Sequence, residues 1–105
     1  MTDPQGAGPG AGPTWVDAHC HLPDDDVAAD ELLAQAASAG VAGVVTVGTD
    51  LASSAVAVRH ARRRREVSAT IGLHPHDATD GVDAVAALLT RELDADPTGA
   101  VVVAV

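Results

Sequence analysis

Phenylalanine and tyrosine are absent from this 105-residue chain, and tryptophan occurs once. A core has to be assembled from Ala, Val and Leu. Alanine has little area to remove from water, so each element gains little by burial. Ordering entropy of roughly 1.5 kcal/mol per residue consumes much of that gain in so short a chain, and more protein is expected around it. Cysteine is almost missing too: the lone Cys20 excludes an internal disulfide and a cysteine-built zinc motif. No apolar run approaches the roughly 18 residues of a transmembrane helix. The N-terminus has neither the basic start nor the apolar core of a secretory signal, which predicts a cytoplasmic location and no membrane contact. Positive charge is scarce: six arginines stand against fifteen acidic residues, for a net charge of -9. That balance argues against broad electrostatic capture of a nucleic-acid backbone. It leaves room for a site where a bound divalent metal supplies the local positive charge.

What the sequence does contain is a regular alternation. Residues 1–14, rich in Gly, Pro and Ala and without periodicity, predict a disordered leader. After it, four apolar runs recur: WVDAHC (15–20), GVVTVG (43–48), VSATIG (67–72) and AVVVAV (100–105). The second and fourth are almost continuously apolar, as suits parallel strands covered on both faces. Three segments of helical period separate them. The first, about 27–39, follows the acidic run at 24–26, any member of which can cap it. Leu32, Ala36 and Ala39 fall on one stripe, and Gly40 ends the helix. The second, about 51–64, takes Thr49 or Asp50 as its cap. Leu51, Ala55 and Val58 form its expected buried face, and four arginines (62–65) and a solvated His60 its end. That basic run reads as a helix C-terminus favoured by the dipole, or as a nucleic-acid contact without aromatic partners. The third, about 82–94, places Val82, Val85, Leu89 and Leu93 at spacings of three and four.

The order β-α-β-α-β-α-β, joined by right-handed crossovers, puts every strand-to-helix loop at one end of a parallel sheet. The segment VGTDLAS (47–53) lacks the spaced glycines of a dinucleotide site, which favours the N-terminal half of a (β/α)8 barrel over an open sheet. The chain stops within its fourth apolar run, so residues 15–105 are expected to be an incomplete domain, truncated in strand 4.

Period-two alternation puts Asp17, His19 and His21 on one face, near the mouth where barrel enzymes assemble their sites. Two neutral imidazoles suit a divalent metal, and Asp17 is placed to orient one ring from behind. The alternative is a pair of histidines capping backbone groups at a strand end. Cys20, of opposite parity, is expected to face the helices. At the end of the third strand, GLHPHD (72–77) carries His74 and His76 on a turn stiffened by Pro75. They can donate to a phosphate or move a proton, or simply satisfy backbone carbonyls. Four of the five histidines thus map to one mouth, and a metal-assisted hydrolase is the simplest account.

VDAHCHL (16–22), GVAGVVTVGTD (40–50), IGLHPHD (71–77) and VVVAV (101–105) together resemble the TatD family of metal-dependent deoxyribonucleases, within the amidohydrolase superfamily. The resemblance implies a cytoplasmic (β/α)8 barrel, monomeric when complete, that hydrolyses phosphodiester bonds, typically in DNA, with two divalent ions such as Zn, Mg or Mn. It assigns His19 and His21 as metal ligands and places His74 and His76 by the scissile phosphate. The family's glutamate ligand, later histidine ligands and catalytic aspartate have no counterpart here. No catalytic residue is therefore assigned, metal binding is expected to be weak, and the isolated chain is expected to be inactive. Other readings are a different H-x-H metallohydrolase, of the PHP phosphoesterase or amidohydrolase type, and a non-catalytic truncated α/β module.

Overall fold

The computed structural model describes residues 14–74, 81–96 and 99–105. The expected disordered leader lies, apart from Thr14, outside the described residues, as does His76. Strands and helices alternate as β1 (Trp15–Cys20), α1 (Asp26–Ser38), β2 (Val41–Val47), α2 (Leu51–Arg63), β3 (Val67–Thr70), α3 (Asp83–Ala95) and β4 (Val102–Ala104). The sheet order is β1-β2-β3-β4, with every neighbouring pair parallel. Each right-handed crossover steps the same way, so the helices fall on one face of the sheet. A doubly wound sheet reverses its order at a switch point. This sheet does not, and the arrangement is that of the N-terminal part of a (β/α)8 barrel.

Local chemistry sets the helix ends. Of the three aspartates at 24–26, Asp25 caps α1, its carboxylate accepting from the Ala28 N–H at 2.8 Å. Asp50, rather than Thr49, caps α2 through a reciprocal pair: it accepts from the Ser53 N–H at 2.7 Å, and Ser53 Oγ accepts from the Asp50 N–H at 3.0 Å. Gly40, just past α1, has φ +92°, a conformation that needs no Cβ. α3 starts without a side-chain cap.

The buried stripes differ from those the spacing predicts. α1 buries Ala29 and Leu33, whereas Leu32 is 47% exposed. α2 buries Ser54, Ala57, Val58, His60 and Ala61, with Leu51 and Ala55 outside. α3 buries Val85, Leu88 and Glu92, and leaves Val82 and Leu93 exposed. These helices carry alanine on several faces, so apolar spacing does not single out one stripe. Small residues such as Ala29, Ala57 and Ala61 let the helix axes approach the sheet, and that packing selects the phase. Val44, Val67, Ala69 and Val102 from the strands, and Ile71 just past β3, complete the core. β1 is exposed along most of its length, with Trp15 and Val16 both open to solvent.

Candidate metal centre

Two adjacent parities at the end of β1 separate core from site. Cys20 and Leu22 pack against the helix-side core, as expected for Cys20. His19 and His21, both exposed, line one open cleft of about 730 Å³. Val47–Thr49, Thr70, Gly72, Leu73 and His74 line the same cleft. The ends of three neighbouring strands thus bring His19, His21 and His74 together. The imidazole centroids of His19 and His21 are 5.2 Å apart, with the rings nearly perpendicular at 81°.

The His21 Nδ1 lies 3.1 Å from the Val47 carbonyl oxygen. A carbonyl only accepts, so Nδ1 carries the proton and Nε2 keeps its lone pair. This is the tautomer that presents one ring nitrogen to a cation while a backbone group holds the other. Next in the chain, the Leu22 N–H donates to the buried Thr46 Oγ1 at 3.2 Å. Strand β2 therefore fixes both the ring and the backbone of this segment.

Asp17 acts elsewhere than on a ring. Its Oδ1 accepts the backbone N–H of His19 at 3.0 Å, and it is not among the cleft-lining residues. Strand β1 carries a register shift between Asp17 and Cys20: Asp17 stands opposite Val44 and Cys20 opposite Thr46. Three steps on β1 match two on β2, so strict alternation does not carry from Asp17 to His19. Such irregularities re-aim side chains at sheet rims, and the Asp17 carboxylate braces this one. Burial first, and then the Asp17 charge, push the Cys20 thiol up from its ordinary value. It stays protonated on the core side and is no candidate ligand or nucleophile.

The loop after β3 is held by α2 and by the β2–α2 connection. Ser54 Oγ accepts from the Gly72 N–H at 3.2 Å and stands 3.3 Å from the Gly72 carbonyl oxygen, to which it can donate. The His74 N–H donates to the Thr49 carbonyl at 2.7 Å. Ser54 sits so close to the end of β2 that a Cβ at position 48 would come within 2.6 Å of its Cα. Gly48 is required there.

His60 is fully buried, contrary to the expected solvated position. Its Nε2 contacts the Pro23 carbonyl at 2.7 Å, and its Nδ1 lies 2.9 Å from Arg64 Nη1. Of the arginine run, expected to be a solvated helix end, Arg62, Arg63 and Arg65 are exposed, yet Arg62, Arg63 and Arg64 are engaged with protein. Arg64 is 8% exposed and pairs with Asp30 at 2.7 Å, Arg63 pairs with Asp26 at 2.7 Å, and Arg62 pairs with Glu92. Burial raises the Asp26 carboxyl, but the guanidiniums of Arg63, Arg59 and Arg64 outweigh it and hold the group below its ordinary value. Arg62, Arg63 and Arg64 therefore clamp α2 to α3 and α1. Thr46 and Ser54 were not singled out by sequence, and His60 was read as solvated. The one signal for Ser54 is its place in the stripe Ser54-Ala57-Val58-Ala61, in which small residues disguise a buried face.

Two imidazoles with a free Nε2 on His21 suit a divalent transition metal. Among the described residues, no group of three or more His, Cys, Asp or Glu is close enough together to hold a metal ion by itself. The chain's own donor set fits a two-histidine contribution to a larger ligand shell. Among the described residues, no helix is long and apolar enough to cross a membrane.

A family model described as TatD related DNase matches residues 16–103. A Mycobacterium tuberculosis protein named as an uncharacterized metal-dependent hydrolase TatD is 42% identical over 80 residues, covering 72% of this chain and 30% of its own length. Proteins named 3'-5' ssDNA/RNA exonuclease TatD are similar too. One from Cronobacter sakazakii is 43% identical over 60 residues, 57% of this chain and 23% of its own. Another from Salmonella typhimurium is 38% identical over 66 residues, 59% of this chain and 25% of its own. The chain spans between 23% and 30% of the length of these relatives.

Proposed function

The chain belongs to the TatD-related DNase family, and from that premise we propose that residues 15–105 contribute the first ligands of a metal-dependent phosphodiesterase acting on DNA. The observation that carries the proposal is the shared cleft: His19, His21 and His74 line one cavity, and the Val47 carbonyl leaves the His21 Nε2 lone pair available. Relatives named as a metal-dependent hydrolase and as ssDNA/RNA exonucleases support both the cofactor class and the substrate class. A cytoplasmic location, a monomeric complete barrel and two divalent ions (Zn, Mg or Mn) belong to the same proposal.

In this reading His19 and His21 hold a divalent ion. Such an ion would supply Lewis-acid polarisation of a phosphoryl oxygen and would lower the pKa of water so that hydroxide is available to attack the phosphorus near neutral pH. Asp17 fixes the backbone at His19 and thereby the depth of that ring in the cleft. His74, whose backbone is tied to Thr49, faces the same cavity from the next-but-one strand and binds the substrate phosphate. His76, outside the described residues, is proposed for the same role. A net charge of -9 means that affinity for a polyanion comes from such local donors and the ion, not from the surface at large.

With two histidine donors and no assigned base, the 105-residue chain is expected to show no sustained turnover by itself. The test is divalent-dependent shortening of a labelled single-stranded oligonucleotide, comparing this chain with a protein that carries it within eight β/α units. The complete protein should degrade the strand only with metal, and His19→Ala with His21→Ala should abolish it. Turnover by the 105-residue chain above a metal-only control, sensitive to the same substitutions, would overturn the assignment of an incomplete site.

A further inference from the structure

Two polar side chains on α2, Ser54 and His60, are fully buried, and the proposed chemistry uses neither. Each reaches a backbone carbonyl two residues from a histidine of the cleft. His60 Nε2 contacts Pro23 O, two residues after His21 and 37 residues away in sequence. Ser54 Oγ contacts both backbone polar groups of Gly72, two residues before His74. Burying a hydroxyl and an imidazole is costly unless their partners are well placed. Both are satisfied by loop backbone, and in each case the loop bears a cleft histidine.

We propose that Ser54 and His60 are positioning residues, with α2 as a bracket that holds the two histidine-bearing loops at a fixed separation. The functional meaning rests on the metal-site reading above, whereas the bracket itself stands on geometry. Arg64 can only donate, so His60 Nδ1 accepts from it and Nε2 carries the proton donated to Pro23 O. The arginines extend the grip: Arg59 donates to the Asp24 carbonyl, Arg64 donates to the Asp26 carbonyl at 3.3 Å, and Arg63 pairs with the Asp26 carboxylate. With His21 on Val47 and Leu22 on Thr46, the segment is fastened at every residue from His21 to Asp24. Arg59, Arg63 and Arg64 are thus assigned to the site as part of its scaffold.

Amide hydrogen exchange of the full 105-residue chain tests this without metal. The Leu22 N–H, bonded to Thr46, reports on the first loop, and the His74 N–H, bonded to Thr49, reports on the second. Neither touches the substituted side chains. In His60→Asn, which lacks a donor at the Nε2 position, Leu22 protection should fall about tenfold while His74 stays within about twofold. His60→Gln, which restores that donor, should recover most of the Leu22 protection. Ser54→Ala, which removes a single oxygen, should show the reverse pattern and keeps the test alive if the His60 variants unfold. Equal loss at both reporters in every variant, or loss at neither, would overturn the bracket. A Zn²⁺ titration of the same samples addresses the metal reading separately. Absence of binding by the unsubstituted chain would remove the metal reading and leave the exchange result standing.

Discussion

The imidazole of His21 is tied to the carbonyl of Val47 across the β1–β2 boundary, at 3.1 Å through Nδ1. One backbone oxygen thereby decides which nitrogen of the neutral His21 ring carries the proton. The partner belongs to the neighbouring strand, so orientation of this ring depends on correct β1–β2 registry, and the site is built only as the sheet forms. The same strand end supplies Thr46 to the next backbone amide and Gly48 to the close approach of α2. Fold and site share these few residues.

The phase of α1 separates two adjacent leucines. Leu33 is 9% exposed and in the core, whereas Leu32 is 47% exposed. Leu33→Ala should lower stability by about 2–4 kcal/mol and Leu32→Ala by less than about 1 kcal/mol. Urea unfolding followed by circular dichroism measures both. Equal losses would place the helix in the phase that simple apolar spacing suggests.

Gly48 has no room for a side chain, because an added Cβ meets the backbone of Ser54 as well as its side chain. Backbone cannot swing aside as a long side chain does. Gly48→Ala should therefore destabilise the protein by about 1–3 kcal/mol, and it should displace the His74 loop through the Ser54–Gly72 link. The check is a denaturation midpoint together with the amide shifts of residues 72–74.

Acid should loosen the clamp between α1 and α2. The folded-state carboxyl of Asp26 lies below its ordinary value because nearby guanidiniums outweigh the effect of burial, and that of Asp50 is lowered by the Ser53 backbone and then the Ser53 hydroxyl. A depressed folded pKa means the stabilisation is complete above the unfolded value and is lost as pH falls through the folded one. Stability should therefore drop below about pH 4. Asp26→Asn and Asp50→Asn should each flatten that acid limb. Molar salt should shrink the Asp26 effect, which comes from ion pairs, more than the Asp50 effect, which comes from hydrogen bonds. A thermal melt series across pH, with and without salt, decides it.

Legibility in the sequence followed the range of the interaction. Strands were readable because Val-rich runs such as 43–48 leave few alternatives, and the helix-side placement of Cys20 followed from parity alone. That His19, His21 and His74 share a cleft followed from parallel topology, which sends all strand C-termini to one end. Helix phase was not readable, because alanine at positions such as 29, 36, 55, 57 and 61 fits either face. The contact of Asp17 with the His19 backbone N–H was not readable, because a register shift interrupts the alternation on which the reading depended. The burial of His60, read as solvated, and of Ser54 was illegible for a different reason. Their partners are backbone atoms 37 and 18 residues away, and a carbonyl looks the same in every residue. The arginine run looked like a surface feature because nothing local reveals that Asp26, Asp30 and Glu92 converge on it.

The central claim is that His19 and His21 together hold a divalent cation. It is tested most directly by calorimetric titration of Zn²⁺ into the 105-residue chain and into its His19→Ala and His21→Ala variants, with nitrogen chemical shifts of the imidazoles followed in parallel. The account predicts weak, saturable binding of one ion, a shift at the Nε2 of His21 while its Nδ1–H stays bonded to Val47, and loss of binding in either variant. Binding of equal strength in all three proteins, or a His21 ring whose Nε2 carries the proton in the free chain, would contradict it.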